Sequence, residues 1–248
     1  MAQAVFAMTA KDRVVGAGGS LPWLRLPADM KRFVSITESH PLNRFMNVVV
    51  MGRKTWESLP RRSKPLPNRF NAVVTSQTEE TLELPSGVMR IPSLEDPHKV
   101  IDDIREHFPF AKNVMIIGGP SILMPLLPII NKLHITYVAG LPRLTKNTNR
   151  TKMPYIGKFF RFRKADICAV RGSPCMTSDG KRVRVDLTFL TADVKYRTSS
   201  CGSIGSTTSS EQSWVVFDQP ESLPDLGSYC ELDSASDTKL TAKGISKA

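Results

Sequence analysis

The segment "NVVVMGRKTWESLP", Asn47 to Pro60, decides the fold. Val48, Val49, Val50 and Met51 leave no polar face, so the run reads as a strand buried on both sides, as in a parallel sheet. Gly52 ends it, and Arg53, Lys54 and Thr55 open a short helix. Backbone N–H groups at that start, with two cations and a hydroxyl, suit a phosphate. The turn is no Walker loop, because GK[ST] is absent, and a basic surface turn is the plain alternative.

Working outward, "AVFAM" (Ala4–Met8), "NAVVTS" (Asn71–Ser76), "NVMIIG" (Asn113–Gly118) and "KLHITYV" (Lys132–Val138) read as further strands. "PADMKRFVSIT" and "PHKVIDDIREHF" between them show helical spacing. Ser93 is a candidate cap for the approach to the second, and Glu95 and Asp96 suit its N-terminal dipole. Strands around Lys164–Arg171 and Lys181–Leu190 are joined at "SDG" (Ser178–Gly180), a hairpin turn. The order predicts an α/β domain with a central, mainly parallel sheet flanked by helices and closed by a C-terminal antiparallel hairpin.

The 248-residue chain has 41% apolar residues, enough for a globular core. The start lacks the features of a signal peptide. "VMIIGGPSILMPLLPII" (Val114–Ile130) is short and broken by Gly and Pro, so a buried strand–turn–helix is expected rather than a membrane span. A cytoplasmic, soluble monomer is the expectation. Cys168, Cys175, Cys201 and Cys230 form no CxxC pair, so neither a metal site nor a disulfide framework is expected.

Charge divides the chain. From Thr191 onward five Lys/Arg face eight Asp/Glu, a net of −3, which leaves +14 on residues 1–190 within the total of +11. A basic domain concentrates polyanions. No nucleic-acid motif accompanies the charge, and aromatics are only 7%, so no nucleic-acid partner is required. Residues 1–192 read as one domain. Residues 193–248, with the Ser/Thr-rich run Thr198–Ser210 and the isolated apolar cluster Trp214–Phe217, read as a mostly disordered acidic tail.

Two more stretches carry chemistry. In "LPWLRLPADMKRF" (Leu21–Phe33), Pro27 fits the first turn of a helix and Asp29 follows at its positive end, which alone would be an ordinary N-terminal acid. Leu21, Pro22, Trp23, Leu24 and Leu26 surround it with apolar surface, and Phe33 lies one turn on. A buried carboxylate needs a partner, and no His, Ser or second acid is near in sequence; the edge of a cationic or amidine-like ligand would satisfy it. "IIGGPS" (Ile116–Ser121) runs a strand into Gly-Gly and a helix, allowing close backbone approach to a ligand. Together the strand ends point to a site at the carboxyl edge of the sheet. "GAGGS" (Gly16–Ser20) is no GxGxxG fingerprint and reads as a flexible loop.

These motifs, with "KPLPNRFNAVVTSQ", "LHITYV" and "TKMPYI", follow one another as in dihydrofolate reductases, a family the chain resembles over about residues 3–192. The resemblance implies hydride transfer from NADPH to 7,8-dihydrofolate. Asp29 matches the acid that grips the pterin 2-amino and N3 edge, Thr136 the threonine that supports it, and Trp23 the loop residue beside the reaction centre. Ala7, Met30, Phe33, Leu59 and Ile117 match the substrate slot, and Arg69 the arginine that takes the glutamate α-carboxylate. Toward the cofactor stand Ala7, Val15, Gly16, Gly19, Ser20, Leu21, Gly52, Arg53, Lys54, Thr55, Val74, Thr75, Ser76, Ile117, Gly118, Gly119, Pro120, Ser121 and Ile122. Arg53 with Ser76 would select the 2′-phosphate, and Gly118–Gly119 matches a cis peptide. No metal is implied, and antifolates such as methotrexate are expected to bind.

Departures are Leu123 where Tyr is usual, the choice of Ala7 over Met8 as the small residue near the start, and an atypical Gly140–Pro154 loop. The alternatives are a folate- and NADPH-binding protein of the same fold with weakened turnover, or a reductase of a ribosyl-pyrimidine. The latter needs neither Asp29 nor Arg69. A fused thymidylate synthase is not expected, because about 55 tail residues cannot form a second core.

Overall fold

The computed structural model describes residues 1–40, 42, 44–78, 80–142, 149–156 and 160–196, with the side chains of 160–165 and 195–196 outside the description. The Ser/Thr-rich run, the Trp214–Phe217 cluster, Cys201 and Cys230 lie outside the described residues, as do residues 143–148 of the atypical loop.

In chain order the elements are β1 (Ala2–Thr9), β2 (Val14–Ala17), β3 (Trp23–Arg25), α1 (Pro27–Thr37), β4 (Met46–Gly52), α2 (Arg53–Ser58), β5 (Phe70–Val74) and β6 (Val88–Ile91). There follow α3 (Pro97–His107), β7 (Ala111–Ile116), α4 (Pro120–Leu126), β8 (Ile130–Ala139), β9 (Arg150–Lys152), β10 (Phe160–Thr177) and β11 (Arg182–Tyr196). Val114–Ile130 is thus a strand, a helix and a turn, and among the described residues no helix is long and apolar enough to cross a membrane.

Nine strands form one sheet in the order β3-β10-β11-β8-β1-β7-β4-β5-β6. The run from β8 to β6 is parallel, while β11, β10 and β3 extend it antiparallel. This is the expected α/β class. The central strands alternate between two apolar layers, because successive side chains leave a strand on opposite faces. Val48, Val50, Ala72, Val114 and Ile116 pack with Val100 and Ile104 of α3 and Ile122, Leu123 and Leu126 of α4. Val49, Met51, Val73 and Met115 pack on the other face with Trp56 of α2 and, from α1, Phe33 and Ile36. A third cluster, Trp23, Leu26, Val138, Val185 and Leu187, fills the antiparallel end.

Local chemistry sets the ends. Pro27 opens α1, and no side chain caps it. Asp96 caps α3, accepting from the His98 and Lys99 amides, whereas Ser93 serves only Glu95. Ser93 thus caps the approach as expected, while Asp96 stands at the boundary where its carboxylate reaches the free amides of the helix itself. The Ser178–Gly180 turn closes β10 on β11, with Gly180 at φ +83°.

Candidate active site

The register of β1 places the site. β1 pairs with β7 only through Ala2–Ala4 but with β8 through Thr9. Past Ile116 the chain stays with β4, Ile117 N–H donating to Val50 O at 2.9 Å. The sheet therefore forks at the carboxyl ends of β1 and β7, the place where a parallel sheet opens to ligands.

Asp29 faces this fork from α1. Burial pushes its carboxyl pKa above the ordinary value; a hydrogen bond with Thr136 and the charge of Arg32 oppose this. Thr136 is buried on β8, in register with Ala7. Ala7 is half-buried beside the Trp23 cluster, whereas Met8 is buried among the central strands. The acid is therefore no solvated helix-end residue. Asp29 itself is half-buried, and the partial loss of water strengthens its hydrogen bond with Thr136.

The apolar wall comes from Phe33, Leu59 and Ile117, packed on one cluster, with Met30 exposed above it. Arg69 is buried at the end of α1. Its Nη1 donates to Thr37 Oγ1 at 2.7 Å, its Nε to Pro67 O at 2.8 Å, and its guanidinium lies 5.9 Å from the Phe33 ring centroid. Burial lowers its pKa and Glu38 opposes the shift. The loop presenting it is stapled by Asn71, which accepts from Leu66 N and donates to Leu66 O and Arg69 O. Sequence reasoning missed Asn71, although a buried Asn beside a Pro-rich loop is a recognisable signal.

Across the fork, Gly52 and Gly118 meet. A Cβ on Gly118 would come within 3.0 Å of Ile122 and 3.3 Å of the Gly52 amide, so the two strand ends approach as bare backbone. Gly119, Pro120 and Ser121 open α4 above them, and Arg53, Lys54 and Thr55 open α2. The Arg53 guanidinium pairs with Glu57 at 2.6 Å, and both are partly exposed. Val74, buried Thr75 and exposed Ser76 lie at the end of β5, Thr75 Oγ1 accepting from Gln77 N at 3.1 Å.

Several expectations are corrected. Gly16–Ser20 is a strand end and a tight turn rather than an unpaired loop: Gly16 and Ala17 pair with Thr151 and Arg150 of β9, and Ala17 and Ser20 exchange backbone hydrogen bonds around Gly18 and Gly19. Val15 lies in the same strand, and Leu21 is exposed just beyond the turn. Trp23 is not part of a loop; it pairs with Thr177 in β3 and is buried. The cis bond among the described residues is Lys64–Pro65, and Gly118–Gly119 is trans, the form favoured by about 2.5–4 kcal/mol away from proline. Leu123 points into the apolar layer with Leu126. Asp29 has an internal countercharge, Arg32, which sequence reasoning did not single out. No cluster of His, Cys, Asp and Glu fit for a metal exists among the described residues.

The structure thus brings together a forked α/β sheet, one half-buried acid, an apolar face beside a buried arginine, and glycine-bare strand ends. Residues 1–164 match the family model described as dihydrofolate reductase. The chain belongs to the dihydrofolate reductase family. It is 33% identical over 126 residues to a dihydrofolate reductase of Drosophila melanogaster, covering 50% of this chain and 66% of that one. With a dihydrofolate reductase of Mycobacterium tuberculosis it shares 35% identity over 135 residues, covering 54% and 70%. A bifunctional dihydrofolate reductase-thymidylate synthase of Zea mays is 36% identical over 138 residues, covering 54% of this chain. The chain thus spans just under two thirds of the fly relative and 26% of the maize one.

Proposed function

We propose that the chain reduces 7,8-dihydrofolate to 5,6,7,8-tetrahydrofolate with NADPH, feeding one-carbon metabolism and thymidylate synthesis, as a cytoplasmic monomer. The observation that carries this reading is half-buried Asp29 bonded to buried Thr136 at the fork, with the Phe33 ring and buried Arg69 beyond it. A bound reduced nicotinamide supplies the hydride. Asp29 accepts hydrogen bonds from the pterin 2-amino and N3 edge, and its charge favours protonation of the ring by water. Phe33, Met30, Leu59 and Ile117 hold the flat ring and exclude bulk water. Arg69 forks onto the glutamate α-carboxylate, which Lys would match poorly. The meeting of Gly52 and Gly118 fits a dinucleotide lying close to backbone.

At the 2′-phosphate, Arg53 with Ser76 selects NADPH over NADH, at the small cost of leaving a surface pair with Glu57. The test is loss of nicotinamide absorbance with dihydrofolate, using the intact chain and Asp29→Asn. Turnover that prefers NADPH and falls about 10²–10³-fold in the variant is the expected result, the scale of losing one preorganised polar contact in a dry site. Binding of NADPH and methotrexate without oxidation would instead make the chain a folate-binding protein that has lost turnover.

A further inference from the structure

Arg32 lies one turn beyond Asp29 on α1 and is spread over the sheet. Its Nη2 donates to Leu190 O at 3.0 Å and to Thr191 Oγ1 at 3.1 Å, and its Nη1 to Thr136 Oγ1 at 3.4 Å. The guanidinium also lies over Phe189, 4.9 Å from the ring centroid. A hydrophobic side chain would have covered this part of the sheet without the cost of desolvating a cation.

A guanidinium only donates, so each hydroxyl it reaches must turn its own proton elsewhere. Thr136, accepting from Arg32, is left to donate to the Asp29 carboxylate. Thr191, accepting likewise, donates to His134 Nδ1 at 3.2 Å, and His134 Nε2–H then reaches Gln3 Oε1 at 2.9 Å. One cation thus fixes the polarity of two hydroxyls and the tautomer of a histidine.

We propose that Arg32 is a positioning residue of this site: fastened to β11, it aims the Thr136 hydroxyl at Asp29 and holds a permanent countercharge beside that carboxylate.

The other charged groups nearby do not take over this task. Lys132 and Asp193 pair with each other at 3.4 Å. His134 is held neutral, its pKa pushed down to about 4 chiefly by burial and then by Arg32 and Lys132, with Asp193 opposing. Cys168 of β10 faces Arg32 as a free thiol. Asp29 and Arg32 therefore answer to each other, each favouring the other's charged form against burial.

The inference rests on the reading of Asp29 as the acid that grips the ligand, but its test does not depend on turnover. The Asp29 carboxylate would be titrated by carbon NMR in the full-length chain without ligand, assigned by Asp29→Asn. In Arg32→Met the midpoint is expected to rise by about one pH unit or more, the usual effect of an adjacent guanidinium. Arg32→Lys should restore most of that shift. An unmoved midpoint in a folded Arg32→Met protein overturns the proposal and leaves Arg32 a structural strut. Should Arg32→Met not fold, Thr191→Val, which removes one anchor, serves instead: an upward shift supports the proposal and an unmoved midpoint overturns it. A shifted midpoint in a chain without reductase turnover would sink the proposed function and leave the role of Arg32 standing.

Discussion

The two halves of the sheet do different jobs. From β1 through β6 the buried strand positions are almost wholly aliphatic, and the strand ends offer bare backbone at Gly52 and Gly118. From β8 to β3 the sheet is antiparallel and carries polar groups inside: His134, Thr136, Ser173 and Thr177 are buried. β8 belongs to both, parallel to β1 and antiparallel to β11, and it bears the threonine that serves the acid. The parallel half is an apolar scaffold that ends in bare backbone, whereas the antiparallel half supplies side-chain polarity.

If this division holds, perturbing the parallel half should cost stability, and perturbing the polar half should change how the protein answers to pH. The largest effect is expected for Ile104→Ala, on the fully buried face of α3. A loss of about 2–5 kcal/mol in denaturant unfolding, with substrate KM unchanged, fits deletion of a large aliphatic side chain from a packed core. A changed KM at equal stability would break the comparison.

Next comes His134. Its folded pKa of about 4 lies below the ordinary 6.5, so the unfolded chain takes up a proton first as pH falls. Above pH 6.5 the residue costs nothing; between 6.5 and 4 it removes stability, on the order of 2 kcal/mol once partial solvation is allowed for. His134→Gln should flatten this acid slope between pH 6.5 and 5, and an identical slope in the variant would show that the histidine charges without opposition.

The smallest effect concerns Asp29→Asn. Burial raises the folded pKa of Asp29, so the fold binds its proton more tightly than the unfolded chain does. The penalty is absent below the unfolded value, grows as pH rises through the folded one, and is removed by a neutral isostere. The variant should melt slightly higher at neutral pH while losing turnover, and a clear fall in Tm would mean that the carboxylate is a structural partner of Arg32 first.

Legibility in the sequence followed the same division. β1, β4, β5, β7 and β8 were readable within three residues at each end because doubly buried strands are continuous apolar runs. Pro27 and the apolar periodicity marked α1 at its observed limits. β6 was missed because "VMRI" is short and holds an arginine at the sheet edge, and β3 because three residues carry no period. Arg161 and Arg163 interrupt the pattern that would have shown β10 beginning at Phe160. Asp29 stood out as an acid in apolar surroundings. Arg32, four residues before Ile36 on the same helix, looked like any exposed cation, since only the long return of β11 brings Leu190 and Thr191 over it.

The fork of β1 also has a mechanical meaning. Inside the sheet the ladder of β1 on β7, three residue pairs, is the shortest; only the edge pairing to β3 is briefer. The ladder on the other side of β1 has eight pairs, and that of β10 on β11 fourteen. Tension applied between the halves would gather on Ala2–Ala4 and Val114–Ile116, so the fork lies along the line of fewest ladder bonds inside the sheet. A ligand seated there acts as a stitch across the seam, and it should raise the force of rupture more than the same affinity would anywhere else in the sheet.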